Sequence, residues 1–319
     1  MSSPRHAGDT SPGAIEVRSL SKRYGSVQAV DDLSFSVRPG RVTGFLGPNG
    51  AGTTTTLRML LGLARPDAGT ATISGQDYRD IPHPTQRVGA ALESASFHPG
   101  RTARDHLRVY APQVGVPDSR CDEVLEIVGL TPSAKRRVGG FSMGMRQRLA
   151  LATTLLGRPS VLLLDEPANG LDPEGIAWLR TFLRRMAGEG STVLVSSHVL
   201  SEVEQAVDDV VIIADGRLRH ASSLAELEAQ AQPGVRLASP DAAGLDHLVQ
   251  AAGWAGRTSY VAPGTVMIAQ SDVAAVGAAA FRAGLEIHEL STVGASLESI
   301  FLALTAPRLD EQPPRGARP

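Results

Sequence analysis

The fold is decided by the stretch Gly47-Pro48-Asn49-Gly50-Ala51-Gly52-Thr53-Thr54. An apolar run at 42–46 precedes it and a helical pattern follows it, which is the strand-to-helix context of a phosphate-binding loop. The stretch matches the pattern G-x-x-x-x-G-K-[ST] except that Thr53 stands where lysine belongs. The sequence therefore predicts a phosphate site, here named the phosphate loop (residues 47–54), without its usual lysine.

Glycines in the phosphate loop let successive backbone N–H groups converge on a phosphate, and the start of the following helix adds partial positive charge. The hydroxyl of Thr54 lies where a Mg²⁺ ligand is required. The residues of the loop and helix start that are predicted to bind the nucleotide are Gly47, Asn49, Gly50, Gly52, Thr53, Thr54 and Thr55. Taken alone, the motif also permits a glycine-rich turn without a ligand.

Two acids, Asp165 and Glu166, follow an apolar run at 161–164 that has the pattern of a buried strand. Carboxylates in this position are costly unless they meet a cation or lie in a cleft. We predict that Asp165 holds Mg²⁺ and that Glu166 polarises the water that attacks the γ-phosphorus. Acids at a strand end also occur as helix N-caps, and the phosphate loop upstream favours catalysis.

A second helix start that could face phosphate lies at residues 141–148, Phe-Ser-Met-Gly-Met-Arg-Gln-Arg. Ser142 can cap the helix, and Gly144 permits close approach of a ligand. The same residues also fit a simple capped core helix, because apolar residues at 149–156 supply a buried face. Both interpretations can hold together.

Length and composition set the broad class of protein. The 319 residues favour two domains, and the 31 basic and 33 acidic residues give a net charge of -2, so we expect no nucleic-acid partner. One cysteine excludes an internal disulfide, and the N-terminus lacks a secretory pattern, so we expect a cytoplasmic protein. No run of about eighteen apolar residues is present, so another polypeptide would supply any membrane span.

Hydrophobic patterning predicts two domains between two disordered tails. From 15 to about 220, strand-like runs alternate with helical runs, which is typical of an α/β domain with a largely parallel sheet. From 221 to 306 the order becomes βαββαβ after a first helix, which suggests a small α+β domain of ferredoxin-like fold. Residues 1–14 and 307–319 are rich in small residues, proline and arginine, and we predict that they are disordered.

Over residues 15–220, the order of these motifs resembles the ABC transporter nucleotide-binding domain, a P-loop NTPase with a helical subdomain that would cover about 94–157. The resemblance implies that Tyr24 stacks on adenine and that Ser142 and Gly144 belong to the signature loop. It further implies that Asp172 lies in the D-loop, that His198 is the catalytic switch histidine, and that Glu93 occupies the Q-loop position near Mg²⁺ or the attacking water.

More narrowly, residues 88–93 with 97–99, residues 142–149 and residues 295–302 resemble the drug-export branch that includes daunorubicin- and bacitracin-resistance transporters. This resemblance implies an ATPase that uses ATP and Mg²⁺ at the cytoplasmic face of the cell membrane. Its partners would be an integral membrane permease and a second copy of itself, with each ATP held between the phosphate loop of one copy and the signature loop of the other.

Two other functions stay open from the sequence. The first is a subunit of the same fold that binds nucleotide but hydrolyses it poorly and acts in regulation or assembly, because Thr53 replaces the lysine. The second is a soluble ABC protein that acts on ribosomes or DNA. Single-cassette organisation and a compact helical insert at about 101–130 disfavour this second function, and the C-terminal domain is expected to brace a dimer.

Overall fold

The computed structural model describes residues 11–92, 97–230, 234–293 and 297–306. Its contacts divide the chain into two units: the first comprises Met1–Leu224 together with Leu304–Pro319, and the second is Ala225–Ala303. Each unit contains its own cluster of buried apolar side chains. The domain boundaries proposed from the sequence stay predictions.

The first unit contains nine of the described strands and seven of the described α-helices. Its strands are β1 (Ile15–Tyr24), β2 (Val27–Val37), β3 (Val42–Leu46), β4 (Ala68–Ile73), β5 (Val88–Ala91), β6 (Val161–Leu164), β7 (Thr192–Ser197), β8 (Asp209–Ala214) and β9 (Arg217–Ser223). Its helices are α1 (Thr53–Leu60), α2 (Pro84–Arg87), α3 (Ala103–Val114), α4 (Ser119–Ile127), α5 (Met143–Thr154), α6 (Pro173–Gly188) and α7 (Leu200–Val203).

The larger sheet of the first unit has six strands in the order β5-β6-β7-β3-β8-β9. All neighbouring pairs are parallel except β8 and β9. Every residue of β3, β6, β7 and β8 is buried, which explains why these strands read as apolar runs in the sequence. The prediction of a largely parallel sheet is confirmed, and it brings the carboxyl ends of β3, β6 and β7 to one edge.

A second sheet of the first unit has three antiparallel strands in the order β2-β1-β4. In β2, Leu33, Phe35 and Val37 are buried between exposed neighbours, as the alternating pattern predicts. The sequence did not predict how the strands of this part of the chain pair with one another. Its strands pair with β1 across distant positions, such as Ile15 opposite Ile73, which local periodicity does not reveal.

The second unit contains an antiparallel sheet in the order β11-β12-β10-β13. Its strands are β10 (Gly234–Ala238), β11 (Thr258–Ala262), β12 (Thr265–Ala269) and β13 (Glu289–Val293). Its helices are α8 (Leu224–Gln230), α9 (Ala242–Ala251), α10 (Val273–Arg282) and α11 (Leu297–Thr305). The predicted order of strands and helices is therefore present along the chain.

The last strand of the second unit is displaced from its predicted position. The sequence predicts a strand at 286–290, whereas β13 begins at Glu289. The strand is set by its partner, because Leu290 lies opposite Leu237 and Ser291 lies opposite Arg236. The helix α11 that follows was also not predicted from periodicity.

The described part of the predicted N-terminal tail contacts the first unit. The N–H of Gly13 donates to Ser74 Oγ at 2.8 Å, and Ala14 is buried. Residues 11–14 are therefore joined to the fold, while 1–10 and 307–319 lie outside the described residues. Within the described ranges, no helix is both long enough and apolar enough to cross a bilayer.

His106 is a buried titratable side chain whose Nδ1 has no hydrogen-bond partner among the described residues. His106 of α3 is 3% exposed, and its ring lies 4.9 Å from the ring centroid of Phe97 and 5.1 Å from that of Tyr110. Burial, with a smaller contribution from the charge of Arg101, lowers the pKa of His106 from 6.5 to about 4. The folded protein therefore holds this imidazole in its neutral form at pH 5.

This burial predicts acid-dependent stability. Because the unfolded chain takes up a proton near pH 6.5 and the folded chain does so only at a pKa of about 4, stability is complete above pH 6.5 and falls as the pH decreases towards 4. The buried imidazole of His106 should lower the free energy of unfolding by about 3 kcal/mol over this pH range. Urea unfolding at pH 7 and pH 4.5 should show that His106→Phe is less acid-sensitive than the wild type.

The exposed residue His98 supplies the control, because His98→Gln changes an imidazole of the same unit that is not buried. This variant should retain the acid sensitivity of the wild type. An unchanged acid sensitivity in His106→Phe would show that other groups cause the effect.

Candidate functional site

The carboxyl edge of the large sheet brings together three segments that are distant in the sequence. The phosphate loop follows β3, the acids Asp165 and Glu166 follow β6, and His198 follows β7. The strands β6, β7 and β3 are immediate parallel neighbours. The topology therefore places a phosphate cradle, two carboxylates and an imidazole at the same edge of the sheet.

Two glycines of the phosphate loop have backbone geometry or surroundings that exclude a side chain. Gly52 has φ 101°, and a Cβ on it would lie 2.3 Å from the carbonyl oxygen of Ala29. A Cβ on Gly47 would lie 2.8 Å from Ala51 Cβ and from the carbonyl oxygen of Ile213. The loop therefore packs directly on neighbouring backbone, as the glycine pattern predicts.

The backbone of the phosphate loop is held in place by one hydrogen bond within the loop and another from Gly216. Ala51 N–H donates to the Pro48 carbonyl at 2.9 Å, and Gly216 N–H donates to the Ala51 carbonyl at 3.1 Å. Thr53, Thr54 and Thr55 form the first turn of α1, where backbone N–H groups have no acceptor within the helix. These donors suit an anion, and Asn49 and Gly50 are exposed in the same loop.

Asp165 is 7% exposed and both of its carboxylate oxygens accept hydrogen bonds. Thr54 Oγ1 donates to Oδ2 at 2.7 Å, and Ser196 Oγ donates to Oδ1 at 2.5 Å. The predicted metal residues Thr54 and Asp165 are therefore in direct contact. The two hydroxyls together hold this carboxylate in one orientation.

Glu166 has a backbone conformation that is unusual for a residue with a side chain, with φ 48°. Its N–H donates to Ser196 Oγ at 2.8 Å, and its Oε2 lies 2.9 Å from His198 Nδ1. Burial raises the pKa of Glu166, and the contact with His198 opposes part of that rise. The predicted catalytic residues Glu166 and His198 are thus paired in the structure.

A cavity of about 380 Å³ lies in front of these groups. Its lining consists of Thr54, Met143, Gln147, Asp165, Glu166, Asn169 and Gly170. Among the described residues of this lining, two are carboxylates and none is a lysine or arginine. The charge that lysine would bring to the phosphate loop is therefore not supplied by this cavity wall.

The predicted signature and D-loop residues meet around a different cavity, of about 300 Å³. Ser142 caps α5 by accepting from Met145 N–H at 3.3 Å, and Asp172 caps α6 by accepting from Gly175 N–H at 2.8 Å. Gly144 lies in the first turn of α5 and also lines this cavity. The predicted capping role of Ser142 is confirmed, and a role of these residues in binding nucleotide stays a prediction.

Tyr24, predicted to stack on adenine, lies at the end of β1 and is 49% exposed. The Lys22 Nζ lies 5.4 Å from its ring centroid. The returning strand β2 carries Ala29, whose carbonyl oxygen packs on Gly52. Glu93, predicted to act near the metal or the water, lies outside the described residues.

Sequence reasoning missed Ser196, which contacts both carboxylate residues. A signal was available, because Thr192-Val193-Leu194-Val195 is an apolar strand segment that ends in two serines. A buried hydroxyl at a strand end requires a partner, and the parallel neighbour β6 ends in the acids. Only the pairing of β6 with β7 identifies that partner.

Comparison with known proteins connects this geometry to a family. Residues 30–169 match the family model described as ABC transporter. The bacitracin transport ATP-binding protein BcrA of Bacillus licheniformis is 46% identical over 207 residues, covering 64% of this chain and 68% of that protein. An uncharacterized ABC transporter ATP-binding protein of Bacillus subtilis (strain 168), YdbJ, is 33% identical over 93% of this chain and 97% of its own.

The chain belongs to the ABC transporter ATP-binding protein family. The solved dimeric structure of a bacterial ABC transporter cassette superimposes with a TM-score of 0.60 at 21% identity, over 66% of this chain and 98% of that one, which shows the fold. The larger sheet with its phosphate loop is therefore an ABC-type P-loop NTPase domain that binds ATP. Residues 233–298 of this ABC protein match a domain of unknown function, DUF8746.

Proposed function

We propose that this ABC protein is the ATP-hydrolysing subunit of a membrane exporter. The observation that carries this proposal is the pair of acids at the end of β6, which lies against the phosphate loop and next to His198. Relatives support the direction of transport, since a Nod factor export ATP-binding protein of Burkholderia orbicola (strain AU 1054) is 41% identical over 210 residues. The similarity to a bacitracin transport protein favours antibiotic efflux.

The residues at the site suit Mg²⁺ together with nucleotide phosphates. Mg²⁺ prefers oxygen ligands and is usually bound by one or two carboxylates plus phosphate oxygens rather than by a complete protein cage. Thr54 and Asp165 offer such oxygens in contact with each other, and the described residues contain no cluster of three or more His, Cys, Asp or Glu that could hold a metal alone. When bound, the ion would neutralise charge on the phosphate oxygens.

Within this proposal the protein groups have distinct roles. Backbone N–H groups of residues 47–55 hold the phosphates, and Tyr24 stacks on adenine. Glu166 accepts a hydrogen bond from the attacking water, while His198 holds its carboxylate in place. Glu93 serves the same site from the Q-loop position.

The position of the signature loop supports action as a pair. Ser142 and Gly144 line a cavity whose described lining includes no phosphate-loop residue, while their neighbour Met143 lines the cavity beside Thr54. A second copy would bring its Ser142 and Gly144 to the phosphate loop of the first, with Asp172 nearby. A bacterial ABC cassette of the same fold was solved as a dimer.

The membrane-spanning function belongs to another chain in this proposal. An integral membrane permease would bind the cassette at the cytoplasmic face of the membrane and would form the export pathway. The second unit would brace the pair of cassettes. Its strand order β11-β12-β10-β13, with α9 and α10 between strands, supports the ferredoxin-like fold expected for residues 221–306.

Thr53 leads us to propose slow hydrolysis, because its short neutral hydroxyl replaces a mobile ammonium. Losing a charge-assisted hydrogen bond costs about 1.5 to 3 kcal/mol in binding, and losing a transition-state donor costs about 10² to 10³ in rate. Backbone donors and the oxygens of Thr54 and Asp165 remain. A subunit that binds ATP well enough to signal but hydrolyses it slowly is therefore the second candidate function.

The role of Glu166 predicts a hydrolysis-deficient variant. Glu166→Gln keeps the size of the side chain and removes its charge, so phosphate release should fall by about 10²-fold or to background. ATP binding should persist. The measurement is phosphate release at saturating Mg-ATP with the permease present, with Glu189→Gln, an exposed exchange at the end of α6, as the control. Unchanged turnover in Glu166→Gln would exclude this glutamate as the base.

Restoring the lysine predicts a gain of activity. Thr53→Lys should raise phosphate release by about 10² to 10³ and tighten ATP binding by a smaller factor, because the ammonium acts most strongly where charge develops. Thr53→Met provides a control of similar reach without charge. Equal rates for Thr53→Lys and the wild type would mean that another group already supplies the missing charge.

A further inference from the structure

Ser196 lies near the carboxyl end of β7, where β7 pairs with β3 on one side and with β6 on the other. It lies in β7, opposite Phe45 of β3, and next to Val195, which pairs with Leu164 of β6. The residue is 0% exposed. A fully buried hydroxyl at this position is stable only when both its donor and its acceptor capacity are used.

Both capacities of this hydroxyl are used by the carboxylate residues. Ser196 Oγ donates to Asp165 Oδ1 at 2.5 Å and accepts the N–H of Glu166 at 2.8 Å. Because Thr54 contacts the other oxygen of Asp165, the hydroxyl leaves Oδ2 directed at the phosphate loop. The hydroxyl of Ser196 therefore helps to set the rotation of the Asp165 carboxylate, the predicted metal ligand.

The same hydroxyl also acts on the backbone of the neighbouring glutamate. Glu166 has φ 48°, a conformation that a residue with a Cβ keeps only when surrounding contacts hold it. The bond from its N–H to Ser196 is such a contact, and it directs the side chain towards His198. Losing that bond would leave a strained residue free to relax.

We propose that Ser196 is a positioning residue that couples the metal-side carboxylate of Asp165 to the water-polarising side chain of Glu166. This inference rests on the proposed function, because it assigns a role within the same hydrolytic site. Ser196 contacts neither nucleotide nor water in this account. It acts by fixing the orientation of two groups that do.

The coupling predicts a defect that depends on Mg²⁺. In Ser196→Ala, ATP affinity measured with EDTA should equal that of the wild type, whereas the gain in affinity on adding Mg²⁺ should shrink by about 10- to 100-fold, as for other residues that orient metal ligands. At saturating Mg-ATP, kcat should fall while KM changes little. Ser196→Thr, which restores a hydroxyl, should recover part of both properties.

The control variant is Thr192→Val, at the far end of the same strand. Thr192 is also 0% exposed, and its hydroxyl accepts the N–H of Gly40 at 3.4 Å, away from the acids. Thr192→Val should keep the Mg²⁺ effect of the wild type. Equal loss in Thr192→Val and Ser196→Ala would show a general packing defect and would overturn the proposal.

Two further outcomes separate this inference from the proposed function. Ser196→Cys keeps the volume of the side chain with a weak donor, so it tests the bond even where alanine impairs folding. A wild-type Mg²⁺ effect in a folded Ser196→Cys variant would overturn the role of Ser196 and leave the proposed function intact. A wild-type chain that binds no ATP with or without Mg²⁺ would overturn the proposed function and this inference together.

Discussion

The carboxylate of Asp165 is the group on which the site depends. It is almost fully buried, and a buried charge is tolerated only when it is paired and hydrogen-bonded. Two hydroxyls donate to its two oxygens, that of Thr54 from the first turn of α1 and that of Ser196 from β7. Because these hydroxyls belong to the phosphate loop and to the strand before His198, one carboxylate aligns all three segments of the site.

Charge is the property in which this site departs from the usual pattern of its family. Glu166 and Asp165 bring negative charge to the cavity, and Thr53 brings none of the opposing charge that lysine would add. The donors that the phosphate loop offers to a phosphate are backbone N–H groups of the loop and of the helix start.

The parts of the fold that depend on local pattern could be predicted from sequence. The glycines of the phosphate loop and the acids after β6 follow apolar runs, so their place at strand ends was visible. The pairing of Ile15 with Ile73, the start of β13 at Glu289 and the contact of Ser196 with Asp165 were not, because each depends on which strands lie side by side. Hydrophobic periodicity reveals local strands and helices, but it does not reveal which distant strands pair with each other.

If Asp165 holds the metal ion used with ATP, Mn²⁺ as a paramagnetic substitute for Mg²⁺ should bind through this carboxylate. Electron paramagnetic resonance of the purified chain with ATP should report one bound Mn²⁺ per site for the wild type. Asp165→Asn should weaken this binding by about 10-fold or more, since it removes one charged ligand of a hard cation. Equal Mn²⁺ affinity in Asp165→Asn and the wild type would show that Asp165 does not hold the metal ion.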